Sequence, residues 1–507
     1  MKRKLENVCG TMSCFCIILI FLFACFHSIS AAAAHFVCPK HVITADDGPI
    51  GVIPSGRVGL SVIPASFDCE YSFLILPGWA LHFSISTHYD NFLGDNITFT
   101  DNLGVVHELA TPNQHIDEWA SSPSAVLRIQ TISNTSQMFA IYEFVNVEKK
   151  YQHVLVPSGE YFALGEMKNQ YYTFYSQSKD QIALNIAVKN TQDYDALLDF
   201  IFVYDGGDIK NCRMISRLSN FLRKHKPSTS YNITLVNFYD AKSPSYLIGN
   251  DWSKVSVFSK YKAILTSRNQ QTTGELFDAS DQGAAYTWIC SDCRHFYWTI
   301  LNFYKSKTTI SKAYIELKSL SPTYNTSTLL NYSASSDNLN EYFPQLIPSR
   351  MFTMINHHSG IGVTLVTSTS KLSTLAWLAP FDGRKGTIFS PSIWDPMTSP
   401  AFSYSFVNAT RKFMFGVNVM DVRIAATGES LTIKTGPTAS ENSSFQEFFS
   451  ERSELWTRRE SQGNFMQISY DGKDRRSGAV IGFDMKEIKA GPRILHFSCF
   501  LLFLLPQ

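Results

Sequence analysis

The sequence lacks the features that would assign it to a common class of enzyme or nucleic-acid-binding protein. Its 44 Lys and Arg nearly balance its 43 Asp and Glu, so no net field attracts nucleic acid or an acidic membrane. It contains no Gly-x-Ser-x-Gly nucleophile motif, no His-Glu-x-x-His pair, no phosphate-binding loop and no dinucleotide fingerprint. These absences predict a protein that is not an enzyme and that uses no cofactor and no nucleic-acid partner.

Long hydrophobic runs are also missing, and this bears on both ends of the chain. Residues 1–34 combine a basic start, a short apolar run and small residues, which predicts a secretory signal peptide rather than an uncleaved anchor. The apolar tail, residues 494–507, is shorter than the about 20 residues that span a bilayer. Because it follows a polar spacer and the small residues Ser477-Gly478-Ala479, it is typical of a GPI-attachment signal. An ordinary secreted end or a misjudged gene terminus are the alternatives.

Long amphipathic helices are scarce, and β-type patterns replace them. The chain has 38 Phe and 23 Tyr, a bias that favours half-buried strands. Turns at residues 53–56 and 63–66 precede a strand at 67–76 that runs into a third turn at Pro77-Gly78, and residues 80–86 alternate apolar with polar side chains. Residues 212–224 carry an apolar stripe that predicts one short surface helix. We therefore predict an all-β fold of tandem β-sandwich modules with few short helices.

A repeated pattern of turns predicts the domain organisation. Pro54-Ser55-Gly56 is followed about 45 residues later by an apolar strand that ends in an Asp turn. Pro157-Ser158-Gly159 is followed at nearly the same distance by another such strand. This spacing predicts two copies of one module. The predicted domains are listed here in chain order: signal peptide 1–34, first sandwich 35–152, second sandwich 153–272, a third β-rich module 273–437, a polar stalk or loose segment 438–493 and the apolar tail 494–507.

Five cysteines remain once the signal peptide and the tail are set aside: Cys38, Cys69, Cys212, Cys290 and Cys293. In an oxidising compartment such cysteines form disulfides, but five cannot all pair. Cys290 and Cys293 either bridge each other or one of them takes Cys212. A zinc site that includes His295, or a redox role, is a weaker interpretation, because zinc needs four ligands and a reactive thiol needs a helix N-terminus.

Asn-x-Ser/Thr motifs mark candidate glycosylation sites. They occur at Asn96, Asn134, Asn232, Asn325, Asn331, Asn408 and Asn442. Their number is close to chance, so the prediction that they carry glycans rests on the predicted export of the chain.

Several motifs resemble the nematode CUB-like domain family. The resemblance rests on Cys38, residues 53–56 and 63–71, and further motifs between 199 and 394, and it covers about residues 35 to 435. It implies tandem CUB-like jelly-roll modules in a secreted or surface-attached protein, often intestinal, raised on pathogen exposure or controlled by insulin-like signalling. It also implies that Cys38 and Cys69 form the first disulfide of the module, and it implies no enzyme activity.

Many CUB domains bind calcium through a Glu and two Asp, so acidic residues at turns need consideration. The candidates are Glu70, Asp95, Asp101, Asp199, Asp205 and Asp240. Turn Asp residues usually cap their own backbone, and the motif match is poor, so we predict no metal.

The predicted function is the binding of extracellular glycans or proteins, including those of microbial surfaces, in innate immune defence. The alternative is a structural or adhesive component of an epithelial glycocalyx, and a secreted hydrolase is a distant third. Most tryptophans are expected in the core, while one or two of a set of six could stack on sugars or anchor a partner. The set is Trp79, Trp119, Trp252, Trp298, Trp377 and Trp394.

Overall fold

The computed structural model describes residues 36–88, 94–109, 114–188, 195–222, 226–268, 270, 283–301, 303, 313–336, 338–357, 371–437, 445–450 and 458–489. Over these residues the chain consists of β-strands with a few short helices, which confirms the predicted all-β class. No helix among them is long and apolar enough to cross a membrane. They fall into two compact units, one running to Gln152 and including Asp208–Ser216, the other comprising His153–Gly207 and the chain from Arg217.

The first unit contains one β-sandwich, followed by helix α1 (Val147–Lys150). Its strands are β1 Ile50–Ile53, β2 Ser61–Val62, β3 Asp68–Leu74, β4 Trp79–His88, β5 Asn96–Thr100, β6 Val106–Glu108, β7 Gln114–Ser121, β8 Ser124–Gln130 and β9 Gln137–Asn146. One sheet has the order β1-β9-β4-β7, with β2 also paired to β9, and the other has the order β3-β8-β5-β6. Phe73, Phe83 and Phe99 are fully buried between the two sheets.

The second sandwich begins the second unit and is followed by helix α2 (Trp252–Val255). Its strands are β10 Gln152–Pro157, β11 Tyr161–Ala163, β12 Gln170–Tyr175, β13 Ile182–Ala187, β14 Ile201–Asp205, β16 Asn232–Asn237 and β17 Tyr246–Asp251, while β15, Arg213–Arg217, lies mostly in the first unit. One sheet contains β10, β12, β16 and β14 side by side in that order, and the other has the order β11-β17-β13.

The third sandwich is followed by helix α3 (Lys371–Leu378). Its strands are β18 Lys260–Thr266, β19 Ala284–Cys290, β20 Phe296–Trp298, β21 Tyr314–Ser319, β22 Thr328–Ser333, β23 Gln345–Ile347 and β24 Met351–His357. The larger sheet has the order β18-β19-β24-β21-β22, and β20 pairs with β23. Strand β18 runs parallel to β19, whereas the other pairs in this sandwich are antiparallel.

The fourth sandwich fills the last part of the described chain and includes helix α4 (Pro391–Trp394). Its strands are β25 Lys385–Phe389, β26 Phe402–Val407, β27 Phe413–Arg423, β28 Ser430–Gly436, β29 Phe445–Phe449, β30 Arg459–Gly463, β31 Phe465–Asp471 and β32 Gly478–Glu487. The two sheets have the orders β25-β32-β27-β30 and β26-β31-β28-β29.

The four sandwiches share one strand order. If β25 is matched to β1 and β26 to β32 are matched to β3 to β9, both sheets of the fourth sandwich have the order found in the first. In the second, β11-β17-β13 and β12-β16-β14 match β1-β9-β4 and β3-β8-β5. In the third, β19-β24-β21-β22 and β20-β23 match β1-β9-β4-β7 and β3-β8. The chain is therefore a series of four related jelly-roll sandwiches, two of them reduced.

A buried carboxylate before the equivalent of β5 recurs in three of the sandwiches. Asp95 and Glu429 immediately precede β5 and β28, and Asp195 precedes β14 with one 3₁₀ turn between them. Each accepts hydrogen bonds from the loop that joins the equivalents of β8 and β9. Because a buried carboxylate needs several donors, this contact fixes the loop against the strand it faces. The third sandwich has no equivalent of β5 among its described residues and no such carboxylate.

The second and third sandwiches share a buried polar network as well as apolar contacts. The Asn250 amide donates to the Tyr261 hydroxyl at 3.1 Å, and that hydroxyl donates to Thr287 Oγ1 at 2.8 Å. Ile248 of the second sandwich packs with Ile289 of the third. Strand β18 belongs to the sheet of the third sandwich, so this sandwich begins before the predicted boundary at residue 272.

Two predictions of local structure are wrong. Residues 212–224 do not form one helix, because the structure has β15 followed by a 3₁₀ turn at Leu218–Leu222. The described residues of the predicted polar stalk instead form β30, β31, β32 and β29 of the fourth sandwich. In β31 and β32 exposed or half-buried residues alternate with buried apolar ones, so each of these two strands has one wet and one buried face.

The predicted GPI-attachment residues are also misplaced. Ser477 and Ala479 are buried, and Gly478 begins β32, which lies between β25 and β27 in its sheet. Cleavage there would remove that strand, so attachment at Ser477-Gly478-Ala479 does not fit the fold. The tail itself and the predicted signal peptide lie outside the described residues.

Candidate functional site

A groove on the outer face of the fourth sandwich is the best-formed candidate site. Two glycines on neighbouring strands, Gly482 of β32 and Gly416 of β27, leave the surface of the sheet low at this point. Gly482 lies beside Asn418 of β27 and Thr387 of β25. A Cβ added at Gly482 would make only ordinary contacts, the nearest with the Met420 sulfur at 3.4 Å, so this position has room for a side chain. We call this feature the Gly482 groove, and its volume is about 700 Å³.

The next row of the sheet carries charged side chains along the groove. Lys385, Asp484 and Gly416 lie side by side on β25, β32 and β27. A Cβ on Gly416 would be only 2.5 Å from Asp484 Oδ2, so the missing side chain is what lets this carboxylate lie across the sheet. Arg458 Nη2 donates to Asp484 Oδ1 at 2.8 Å and holds it in place.

The third sandwich supplies one wall of the Gly482 groove. Glu341 and Tyr342, from the 3₁₀ turn Leu339–Tyr342, line it. Lys385 Nζ donates to Glu341 Oε2 at 2.8 Å and lies 5.7 Å from the centre of the Tyr342 ring. Asn418, by contrast, is exposed and has no hydrogen-bond partner among the described residues. The groove therefore offers carboxylate acceptors, cationic donors and a free amide within one concave surface.

The sequence interpretation missed every residue of the Gly482 groove, although a signal was present. In both Gly416-Val417-Asn418 and Gly482-Phe483-Asp484 a glycine precedes a polar residue by two positions within an apolar strand. Residues two apart on a strand share a face, and a strand glycine often marks close approach of another group. The second motif lies within residues 438–493, whose polar and charged composition predicts a loose segment and hides the strand periodicity.

The predicted disulfide between Cys38 and Cys69 is present. Of the two alternatives for the remaining cysteines, the structure has the bond between Cys290 and Cys293. This leaves Cys212 outside any disulfide among the described residues and excludes Cys290 and Cys293 as zinc ligands. Both cysteines of the second bridge are at most 5% exposed, which does not suit a redox-active pair.

The acidic residues considered for calcium do not converge. Asp101 accepts from the backbone N–H groups of Leu103 and Val105 at 2.8 and 3.0 Å, and Asp205 accepts from that of Thr229. The other candidates have separate partners: Glu70 accepts from the Ser72 hydroxyl on the same strand, Asp95 from the N–H groups of Ile132 and Ser133, and Asp199 from the Ser219 hydroxyl, while Asp240 adopts a left-handed turn conformation. Over the described ranges, no group of three or more metal-ligating residues is arranged to hold a metal ion.

The tryptophans serve the cores more than the surface. Trp298, Trp377 and Trp394 are fully buried. Trp119 is 6% exposed and stacks on His82 with ring centres 4.3 Å apart. These four cannot act as exposed anchors, and only Trp79 and Trp252 of the predicted set are half-buried.

The candidate glycosylation sites differ in exposure. Asn96, Asn134, Asn325 and Asn331 are exposed, whereas Asn232 and Asn408 are half-buried. Asn442 lies outside the described residues. Glycosylation of these residues stays a prediction.

The comparisons with known proteins bear on the first sandwich. Residues 33–148 match the protein-family model described as a CUB-like domain. A CUB-like domain is thus present at the N-terminal end of the described chain. CUB-like domains are typically extracellular binding modules. Together with the two disulfides, this domain indicates an extracellular protein. No curated protein matches the chain at a significant level.

Solved structures include similar chains at very low identity. The CUB1-EGF-CUB2 domains of rat MASP-1 are 9% identical, with a TM-score of 0.18, over 41% of this chain and 99% of that one. The corresponding human MASP-1/3 domains are 9% identical, with a TM-score of 0.17, over 40% and 99%. The extracellular region of zebrafish Gpr126/Adgrg6 is 8% identical, with a TM-score of 0.19, over 90% and 53%. Similarity this low does not bear on function.

Proposed function

We propose that this protein is a non-catalytic extracellular binding protein that takes saccharides in the Gly482 groove. The observation that carries the proposal is the composition of that groove. A sugar hydroxyl both donates and accepts a hydrogen bond, so it pairs equally well with a carboxylate, an ammonium group or an amide. Asp484, Lys385 and Asn418 present these three kinds of group along one open strand face.

Binding rather than hydrolysis is favoured by how the carboxylates are engaged. Glu341 is bonded to Lys385 and Asp484 to Arg458, each at 2.8 Å. A glycoside hydrolase instead needs one carboxyl group that is free to deliver a proton to the leaving oxygen. We therefore propose no catalysis at this groove.

The proposed biological setting is innate defence, with saccharides of microbial surfaces as ligands. It is supported by the resemblance of the first sandwich to the nematode CUB-like family, which is an associational warrant. We further propose that the protein is secreted or held at the cell surface by a GPI anchor. Release from intact expressing cells by phosphatidylinositol-specific phospholipase C would support the anchor, whereas protein already free in the medium would support secretion.

The test is binding of the full chain to microbial cell-wall polysaccharide fractions, measured by titration. Gly482→Leu fills the groove from an outward strand position without a backbone clash, so we expect affinity to fall by about tenfold or more. Ser403→Leu places the same side chain at an exposed position on β26 in the other sheet and should leave affinity unchanged. Equal binding by Gly482→Leu and the unsubstituted chain would refute the groove, and turnover of the polysaccharide would refute the absence of catalysis. No saturable binding, with abundance that infection does not alter, would favour the structural or adhesive role in a glycocalyx.

A further inference from the structure

A second cleft, separate from the Gly482 groove, lies where the third and fourth sandwiches meet. It has a volume of about 650 Å³, which is within the usual size of a small-ligand site. Arg294 and Arg350 line it from the third sandwich, and Met397 and Tyr404 line it from the fourth. We call it the arginine cleft.

The two arginines of this cleft are exposed, and within the described residues neither guanidinium group forms a hydrogen bond or an ion pair. The carboxylate in the cleft, Asp395, accepts from the backbone N–H of Met397 at 2.9 Å. A third cation, Arg475, reaches the rim through a 3.8 Å contact between its Nη1 and the Met397 sulfur. The cleft therefore carries two arginines and a third at its rim against one carboxylate, which is an excess of positive charge.

The backbone beneath these arginines is firmly held. The Cys290–Cys293 disulfide ends immediately before Arg294. The Cys290 N–H donates to the carbonyl oxygen of Arg350 at 2.9 Å, so the segments carrying the two arginines are hydrogen-bonded to each other. The backbone separation of these two segments is thus set before a ligand arrives, which lowers the entropic cost of ordering the site.

The remaining lining is apolar with a few neutral polar groups. Tyr297 and Leu346 are 4% and 5% exposed and form the floor. Burial, and to a lesser degree the charge of Arg268, lowers the pKa of His295, so this side chain acts as a neutral hydrogen-bonding group at physiological pH. Thr398 and Ser399 add hydroxyl groups at the edge.

We infer that the arginine cleft binds an acidic saccharide, with its carboxylate or sulfate group between Arg294 and Arg350. The planar guanidinium fork pairs with two oxygens of such a group at once. The sugar ring then lies on the apolar floor, and its hydroxyls face His295 and Thr398. This ligand class extends the proposed function, but the site does not depend on the Gly482 groove.

The experiment compares three tetrasaccharides as ligands of the full chain by calorimetric titration: one of hexuronic acid, one of sulfated galactose and one of uncharged galactose. At least one acidic tetrasaccharide should bind, with affinity that falls as salt rises, while the uncharged one should not enter this cleft. Whichever acidic sugar binds more tightly identifies the anionic group.

Variants assign the binding to the cleft. Loss of a charge-assisted hydrogen bond should weaken binding by about tenfold or more for each of Arg294→Gln and Arg350→Gln, and Arg350→Lys should be intermediate because it keeps the charge without the fork. Arg128→Gln, at an exposed position in the first sandwich, should bind acidic sugar like the unsubstituted chain. Unchanged affinity in the double Arg294→Gln/Arg350→Gln variant would overturn the inference, as would the absence of binding by both acidic tetrasaccharides. Failure here with saccharide binding retained at the Gly482 groove would leave the proposed function standing.

Discussion

The recurrent buried carboxylate allows a sharp test, because two of its copies differ in what they bind. Glu429 of the fourth sandwich is fully buried. Its Oε1 accepts from the N–H groups of Lys473 and Asp474 at 2.6 and 2.7 Å, and its Oε2 from those of Ala425 and Ala426 at 3.0 and 3.1 Å. Backbone N–H groups can only donate, so both oxygens must remain acceptors.

Glu429→Gln should therefore be costly in either orientation of the amide. Whichever side its NH₂ group takes, it faces two N–H donors that lose their acceptor, and we expect a loss of about 2–4 kcal/mol in the stability of this sandwich. In Asp95, Oδ1 accepts from backbone N–H groups but Oδ2 accepts only from the hydroxyls of Ser133 and Ser136. Hydroxyls can turn and accept, so Asp95→Asn should cost about 1 kcal/mol or less.

The assay must report the stability of each sandwich separately, because a chain of four sandwiches need not unfold in one step. Hydrogen exchange followed by peptide mass spectrometry meets this need: peptides from β28 and β31 report the fourth sandwich, and those from β5 and β8 report the first. Glu429→Gln should lower protection in the fourth sandwich alone. A loss for Asp95→Asn as large as that for Glu429→Gln would refute the reasoning from donor geometry.

The same carboxylate has a defined pH dependence. Burial alone would raise the pKa of Glu429, but hydrogen bonds from Ser477, Asp474, Lys473 and Ala426 outweigh it and lower the pKa to about 2. A folded pKa below the unfolded value of about 4.3 means that the stabilisation is fully present above pH 4.3 and is lost as pH falls through about 2. The stability difference between the unsubstituted chain and Glu429→Gln should therefore shrink over that window.

Three further predictions concern stability and metal. Arg384 is fully buried and donates to the carbonyl groups of Trp377 and Ala379 at the end of α3, so Arg384→Met should cost about 2–4 kcal/mol by calorimetry; a change under about 1 kcal/mol would contradict this role. From loop length, replacing Cys38 and Cys69 by Ser should cost roughly 4 kcal/mol and replacing Cys290 and Cys293 roughly 2 kcal/mol, because the bridges span 31 and 3 residues; the reverse order would contradict the entropic account. EDTA should leave the melting temperature unchanged because the turn carboxylates are already occupied by donors, and a drop of several degrees would reveal a metal site.

The sequence determined the local structure well, because local structure depends on nearby residues. The alternation in residues 80–86 and the turns beside Ile53 and Ile63 gave β3 and β4 close to their observed bounds, with Gly56 and Gly78 in the left-handed turn conformation that glycine allows. The apolar strands at 97 and 201, which suggested the repeat, are β5 and its equivalent β14. The neighbouring Pro-Ser-Gly turns are not equivalent, because one follows β1 and the other ends β10, which has no counterpart in the first sandwich.

Only the tertiary structure decided which strands lie side by side. The shared strand order rests on pairs such as β1 with β9 and β25 with β32, which are separated by about 90 residues or more along the chain, and a local pattern does not encode such pairing. For the same reason the polar strands at the C-terminal end were not seen as a sandwich. The Gly482 groove shows the point most directly: Gly416 and Asp484 each look ordinary in the sequence, and they become a site because β27 and β32 pair in one register.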